Sequence, residues 1–205
     1  METLKNTIIK QIIQDGLDNS MSYVEYRELV MTKVENNSNT GHEVTEALTN
    51  YTMLNNKRMK RWDKTIKIGE GVADAIKHKK FNQTWIVITE SWCGDAAHVI
   101  PVINKIAELN EGINFRVVLR DDNEALMDQF LTNGSRSIAK LIILDTTTKD
   151  VIATYGPRPS TATLLVNDYK AKHGILTPEF KEELQQWYNK DKGQTVIADL
   201  VTLIS

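Results

Sequence analysis

Trp85-Ile86-Val87-Ile88-Thr89 is followed at once by Glu90-Ser91-Trp92-Cys93-Gly94-Asp95-Ala96, and then by an apolar run that contains Pro101. The first segment is β-rich with no polar alternation, which predicts a short strand covered on both faces. The run Asp95–Asn110 has helical character. The residues between them therefore sit at a strand-to-helix junction, where open α/β sheets present ligand-binding groups. Cys93 falls where unpaired backbone N–H groups and the helix dipole favour a thiolate, the attacking form of the side chain. An ionised Asp95 close by works in the opposite direction.

Outward from this junction, Phe115–Leu119 reads as a second strand and Asn123–Leu131 as a short helix. Lys140–Leu144 and Val151–Tyr155 are two more strands, joined by the polar turn Asp145–Asp150 as an antiparallel hairpin. Helix resumes after Gly156-Pro157-Arg158-Pro159 and runs to about Lys172. Thr177 and Pro178 then form a cap and first turn for a helix that reaches Asn189, and Thr195–Ile204 closes the chain, with helix favoured. This order implies an α/β fold: a central mixed sheet of about four strands with helices on both faces.

Towards the N-terminus the pattern is helical. Leu4, Ile8, Ile9, Ile12 and Ile13 recur at helical spacing before Gly16, and Tyr23–Val34 forms a second segment. A third begins near His42 with Val44, Ala47, Leu48, Tyr51 and Leu54 on one side, and Gly69 and Gly71 separate it from Val72–His78. Apolar stripes of this kind need a surface to cover. Residues 1–80 are therefore expected to be a helical extension packed on a core formed by 81–205.

Composition narrows the function. A net charge of −2 over 205 residues gives no global attraction to nucleic acid. The basic stretch Lys57–Lys67 is interrupted by Met59, Trp62 and Ile66, as expected of a solvated face on a packed helix. No apolar run is long enough to cross a bilayer and no signal-peptide core is present, so a cytoplasmic location and no membrane partner are expected. One cysteine excludes an intrachain disulfide and a CxxC pair, and four scattered histidines give no metal spacing. No metal and no cofactor are expected, and no feature of the chain specifies an oligomeric state.

The segment Glu90–Ala96, with Pro101 eight residues beyond Cys93, resembles the thioredoxin family, whose motif is Trp-Cys-Gly-Pro-Cys with a helix-kinking proline at that separation. The likeness extends over roughly Phe81–His173. It resembles in particular the thioredoxin-like proteins with a Trp-Cys-Gly-Asp motif and an added N-terminal helical region, and this resemblance implies the thioredoxin fold. The departures bear on function. The second, resolving cysteine corresponds to Ala96, the motif proline to Asp95, and the buried acid to Val87. The family's cis-proline corresponds to Ala139, and because a non-proline cis bond is costly, Ile138–Ala139 is expected to be trans.

The resemblance implies Cys93 as nucleophile and Trp92, Gly94, Ile138 and Ala139 as the surface for substrate, with simple packing the alternative for Trp92. Asp95 and His98 are candidates for acid–base assistance, set against helix-terminus stabilisation for the first and simple packing for the second. Pro101 is structural, since it removes a helical hydrogen bond. Arg136 and Arg158, on loops near the motif, are candidates for attracting an anionic thiol. Two functions stay open. One is monothiol exchange with a protein disulfide or a low-molecular-weight thiol, needing an external resolving thiol because Ala96 cannot supply one. The other is a non-catalytic thioredoxin-fold binding or scaffold protein. A low thiol pKa and an accessible sulfur favour the first; a protonated, enclosed thiol favours the second.

Overall fold

The computed structural model describes residues 2–205, with side chains from Asn6 onward, so Leu4 lies outside the described side chains. Helices α1 (Glu2–Asp18), α2 (Tyr23–Glu35), α3 (Glu46–Thr65) and α4 (Glu70–His78) precede strand β1 (Gln83–Thr89). There follow α5 (Ala96–Ala107), β2 (Ile113–Leu119), α6 (Glu124–Gln129), β3 (Lys140–Asp145) and β4 (Val151–Tyr155), and then α7 (Ser160–His173), α8 (Pro178–Asp191) and α9 (Gln194–Leu203).

The four strands form one mixed sheet in the order β2-β1-β3-β4. β1 runs parallel to β2, with Val87 opposite Val117, and antiparallel to β3, with Val87 opposite Leu141. β3 and β4 form the antiparallel hairpin. β1 is central, and its residues from Thr84 to Thr89 are all buried, which is why its sequence lacks alternation. α5 is apolar nearly all round and buried through most of its length, as a helix enclosed by other elements must be.

Two apolar layers sandwich the sheet. In one, Ile13, Tyr23, Tyr26 and Val30 from the N-terminal helices pack with Ile86, Ile88 and Val118. In the other, Trp85, Leu141 and Ile143 meet Ile103 of α5, Phe180 and Leu184 of α8, and Val196, Ile197 and Leu200 of α9. Met21 also makes a backbone bridge to Val117 beside β2, so the apolar core runs across residue 80. Local signals set the helix starts. Ser22 and Glu25 form a reciprocal capping box on α2, and Thr177 accepts from Phe180 N–H with Pro178 in the first turn of α8.

α3 corrects the expected orientation. Val44 before it and Tyr51 and Leu54 within it are exposed, while Thr52, Asn55, Met59 and Trp62 face inward. The buried Thr52 and Asn55 are held there by hydrogen bonds to the motif loop, which apolar periodicity does not register. Among the described residues, no helix is long and apolar enough to cross a membrane.

Candidate active-site cavity at the β1–α5 junction

The motif loop is clamped from the N-terminal side. Ser91 N–H donates to Thr40 Oγ1 at 2.7 Å, and Thr40 N–H donates to Ser91 Oγ at 3.0 Å. Thr52 Oγ1 lies 2.8 Å from the same Ser91 hydroxyl, and Asn55 Nδ2 donates to Ser91 O at 2.9 Å. Trp92 Nε1–H donates to Thr40 O, and the Arg120 guanidinium lies over the Trp92 ring, 4.9 Å from its centroid. Buried polar groups left without such partners cost about 1–3 kcal/mol each, so this reciprocal set fixes the loop firmly.

Cys93 stands at the beginning of α5, 8% exposed, with its thiol donating to Ile138 O at 3.3 Å. Burial, reinforced by the charge of Asp95, pushes the thiol up to about 12, while the N–H groups of Ala96 and Asp95 and the charge of Arg158 pull the other way. Asp95 makes no cap bond to α5. Its Oδ2 pairs with Arg158 Nη2 at 2.7 Å and its Oδ1 accepts from Tyr188 O–H at 2.9 Å. Burial raises the Asp95 carboxyl, and Arg158 and Tyr188 oppose that.

The loop facing Cys93 corrects one expectation. The Ile138–Ala139 peptide is cis, as is Gly156–Pro157. Residue type alone argues for trans, but the position is enclosed by tertiary contacts: Ile138 O accepts from Cys93, and Gly156, at φ +102°, brings its Cα against Ala139 O. An added Cβ on Gly156 would lie 2.2 Å from that oxygen, so only glycine allows this approach.

His98 is buried and engaged at both ring nitrogens. Trp62 Nε1–H donates to its Nδ1 at 2.9 Å, which places the ring proton on Nε2, 2.7 Å from Gln185 Oε1. Its ring stacks on Tyr188 with centroids 4.3 Å apart. Burial drives its pKa down to about 3, so the imidazole is neutral near pH 7. Pro101 lies within α5, where it removes one backbone donor.

Cys93, Trp92, Gly94, Asp95 and Ile138 share the wall of one cavity of about 470 Å³. Arg136 and Arg158 line it too, and Ala139 lies buried behind Ile138. Sequence reasoning missed much of the rest of the wall: Leu48, Tyr51 and Arg58 of α3, Arg120 after β2, and Lys181 and Gln185 of α8. Arg58 belongs to a basic stretch read as the solvated face of a packed helix, and it is half-buried in this wall. The only signal available was the i, i+3 spacing of Asn55 and Arg58, which are joined by a 2.8 Å hydrogen bond.

The sequence profile described as Thioredoxin matches residues 41–170, well over half of the chain. The chain belongs to the thioredoxin family. The matched span begins within the segment that clamps Ser91 and ends within α7. No curated protein sequence matches the chain. Two solved structures are similar to this thioredoxin-family protein in fold alone. One, from Pseudomonas aeruginosa and described as a protein of unknown function, is 14% identical over 90% of this chain and 97% of its own, with a TM-score of 0.53. The other, an HIV epitope scaffold, is 13% identical over 90% and 98%, with a TM-score of 0.54.

Proposed function

We propose that this thioredoxin-family protein carries out monothiol exchange through Cys93 in the cytoplasm. One observation carries the reading: the only sulfhydryl of the chain lies in the wall of a cavity at the β1–α5 junction, beside the N–H groups of Asp95 and Ala96 and opposite Ile138. In the forward step Cys93 first gives its proton to solvent, and the thiolate attacks one sulfur of a disulfide. An S–S bond forms to Cys93, the original S–S bond breaks, and the leaving thiolate takes a proton from solvent. Ala96 offers no second thiol, so an external thiolate attacks the substrate sulfur of the mixed disulfide; a new S–S bond forms between those two sulfurs, the bond to Cys93 breaks, and the released Cys93 thiolate regains a proton from solvent.

The resting thiol is slow by design of its surroundings. Burial pushes its pKa up to about 12, so near pH 7 the thiolate is far scarcer than the few per cent found for free cysteine. This same observation favours the second reading, a non-catalytic binding module that keeps the cavity and leaves the thiol protonated.

The pH dependence of Cys93 alkylation, with Cys93→Ser as blank, separates the two. Under the exchange reading, modification of the folded protein rises steeply with pH and a disulfide probe forms a stoichiometric adduct on Cys93 that added thiol releases. A thiol that stays unmodified to pH 9 while folded, yet reacts readily in denaturant, leaves the binding module.

A further inference from the structure

The chain as a whole carries a net charge of −2, but the cavity over Cys93 is strongly cationic. Arg58, Arg120, Arg136, Arg158 and Lys181 contribute to its wall, against the single carboxylate of Asp95. Two of these cations are committed elsewhere: Arg120 to Asp121 at 2.7 Å, and Arg136 to Asp128 at 2.6 Å and Glu124 at 3.0 Å. Among the described residues, Arg58 and Lys181 have no carboxylate within ion-pair distance, and the one hydrogen-bond partner found for Arg58 is the neutral Asn55. Arg158 gives one nitrogen to Asp95, while its Nε is buried and has no hydrogen-bond partner.

Further donors are aimed at the same place. A Cβ placed on Gly94 would lie 3.9 Å from both Arg58 Nη1 and Gln185 Nε2. Gln185 accepts from His98 through Oε1, which leaves its NH2 group on the side of Gly94. His98 is thus a positioning residue for this amide. Burial already disfavours the charged form of Arg58, and an anion brought alongside would offset that cost. The wall also carries Leu48, Tyr51, Trp92 and Leu176, so the donors sit among apolar surface, as in sites that take small molecules.

From this arrangement we infer that the cavity binds a small dicarboxylate ligand, one carboxylate between Arg58 and the Gln185 amide and the other towards Arg158 and Lys181, with the sulfur of a thiol or disulfide substrate held at Cys93. The sulfur-bearing part of the assignment rests on the exchange reading; the dicarboxylate part stands on the cavity alone. A volume of about 470 Å³ suits a molecule of a few residues in size. Carboxylates meet guanidinium groups in bidentate geometry, which adds specificity as well as strength to the pairing.

Calorimetric titration of the Cys93→Ser protein with S-methylmercaptosuccinate, a capped dicarboxylate, tests the site without its chemistry. Saturable binding is expected, weakened about tenfold or more by Arg58→Gln with Lys181→Gln, and absent for the dimethyl ester. Equal binding of diacid and diester, or an unchanged affinity in a double variant that folds by circular dichroism, overturns the assignment. A second arm compares the rates at which Cys93 reacts with 5,5′-dithiobis(2-nitrobenzoate), which bears two carboxylates, and with neutral 2,2′-dithiodipyridine. Loss of the preference for the dianionic disulfide in the double variant supports the cavity as the source of selectivity. Reaction with both disulfides at a ratio the double variant does not alter overturns it and leaves exchange standing. Diacid binding with no reaction towards either disulfide supports the site and removes exchange.

Discussion

Arg158 Nη2 and Asp95 Oδ2 meet at 2.7 Å beside Cys93, and the two charges act on its thiol in opposite directions. Asp95 stabilises the proton on sulfur and Arg158 stabilises the thiolate. Burial is the larger influence and favours the protonated form. The position that is proline in the Trp-Cys-Gly-Pro-Cys motif therefore carries a charge that helps to keep the proton on the Cys93 sulfur.

Asp95→Asn removes that charge while keeping an acceptor for Tyr188. The thiol pKa is expected to fall by at least one unit, so alkylation at pH 8 should accelerate about tenfold. The pH profile of iodoacetamide modification checks it; an unshifted profile would mean that burial alone holds the proton.

His98 gives a stability signature with a definite sign. Its folded pKa of about 3 lies below the usual 6.5 or so, so the unfolded chain binds the extra proton between those values. The contribution of His98 is fully present above pH 6.5 and is lost as pH falls towards 3, at up to about 1.4 kcal/mol per pH unit. Glu90 and Asp95, whose pKa values burial raises, act in the opposite sense, so the test is a difference. Urea denaturation between pH 7 and pH 4 should show the wild type losing more stability than His98→Gln. Parallel curves would contradict the buried neutral imidazole.

Ser91→Ala withdraws the hydroxyl that serves both Thr40 N–H and Thr52. A loss of about 2 kcal/mol is expected from the buried groups left unpaired. For a chain of this size that lowers the melting temperature by about 4–8 °C, measurable by calorimetry.

Gly156→Ala and Gly71→Ala should move in opposite directions. The first forces a methyl to within 2.2 Å of Ala139 O at φ +102° and should cost about 3 kcal/mol. The second adds a methyl inside α4 with nothing within 4 Å and should stabilise by up to about 1 kcal/mol. Chemical denaturation of the pair tests whether the Gly156 contact is as close as described.

The strands and later helices were legible because their signals are local. β1 announces itself by an unbroken apolar run, and α8 by Thr177 and Pro178 at its first turn. The position of Cys93 and the cavity-wall places of Arg136 and Arg158 followed from topology and resemblance. The rest of the site was not legible because it is assembled from distant segments by polar contacts. Nothing in the periodicity of α3 says that Thr52 and Asn55 turn inward, since their reason for doing so is Ser91, nearly forty residues away. Arg58 and Lys181 are ordinary surface cations until α3 and α8 bring them into the same cavity wall as Gly94 and Cys93. The cis peptide at Ile138–Ala139 has no sequence marker, because the proline that would announce it is missing.

Ala96, 1% exposed, puts a methyl group where the family's second sulfur would stand. Under the exchange reading, an adduct on Cys93 would find no second thiol in the chain to displace it. Whatever later released it would have to come from outside the chain, as the first arrival did, one after the other, as at a turnstile. The lifetime of such an adduct would then be shared: its surroundings decide how concentrated and how slim the arriving thiols are, and the burial that disfavours a Cys93 thiolate decides how readily the sulfur lets go.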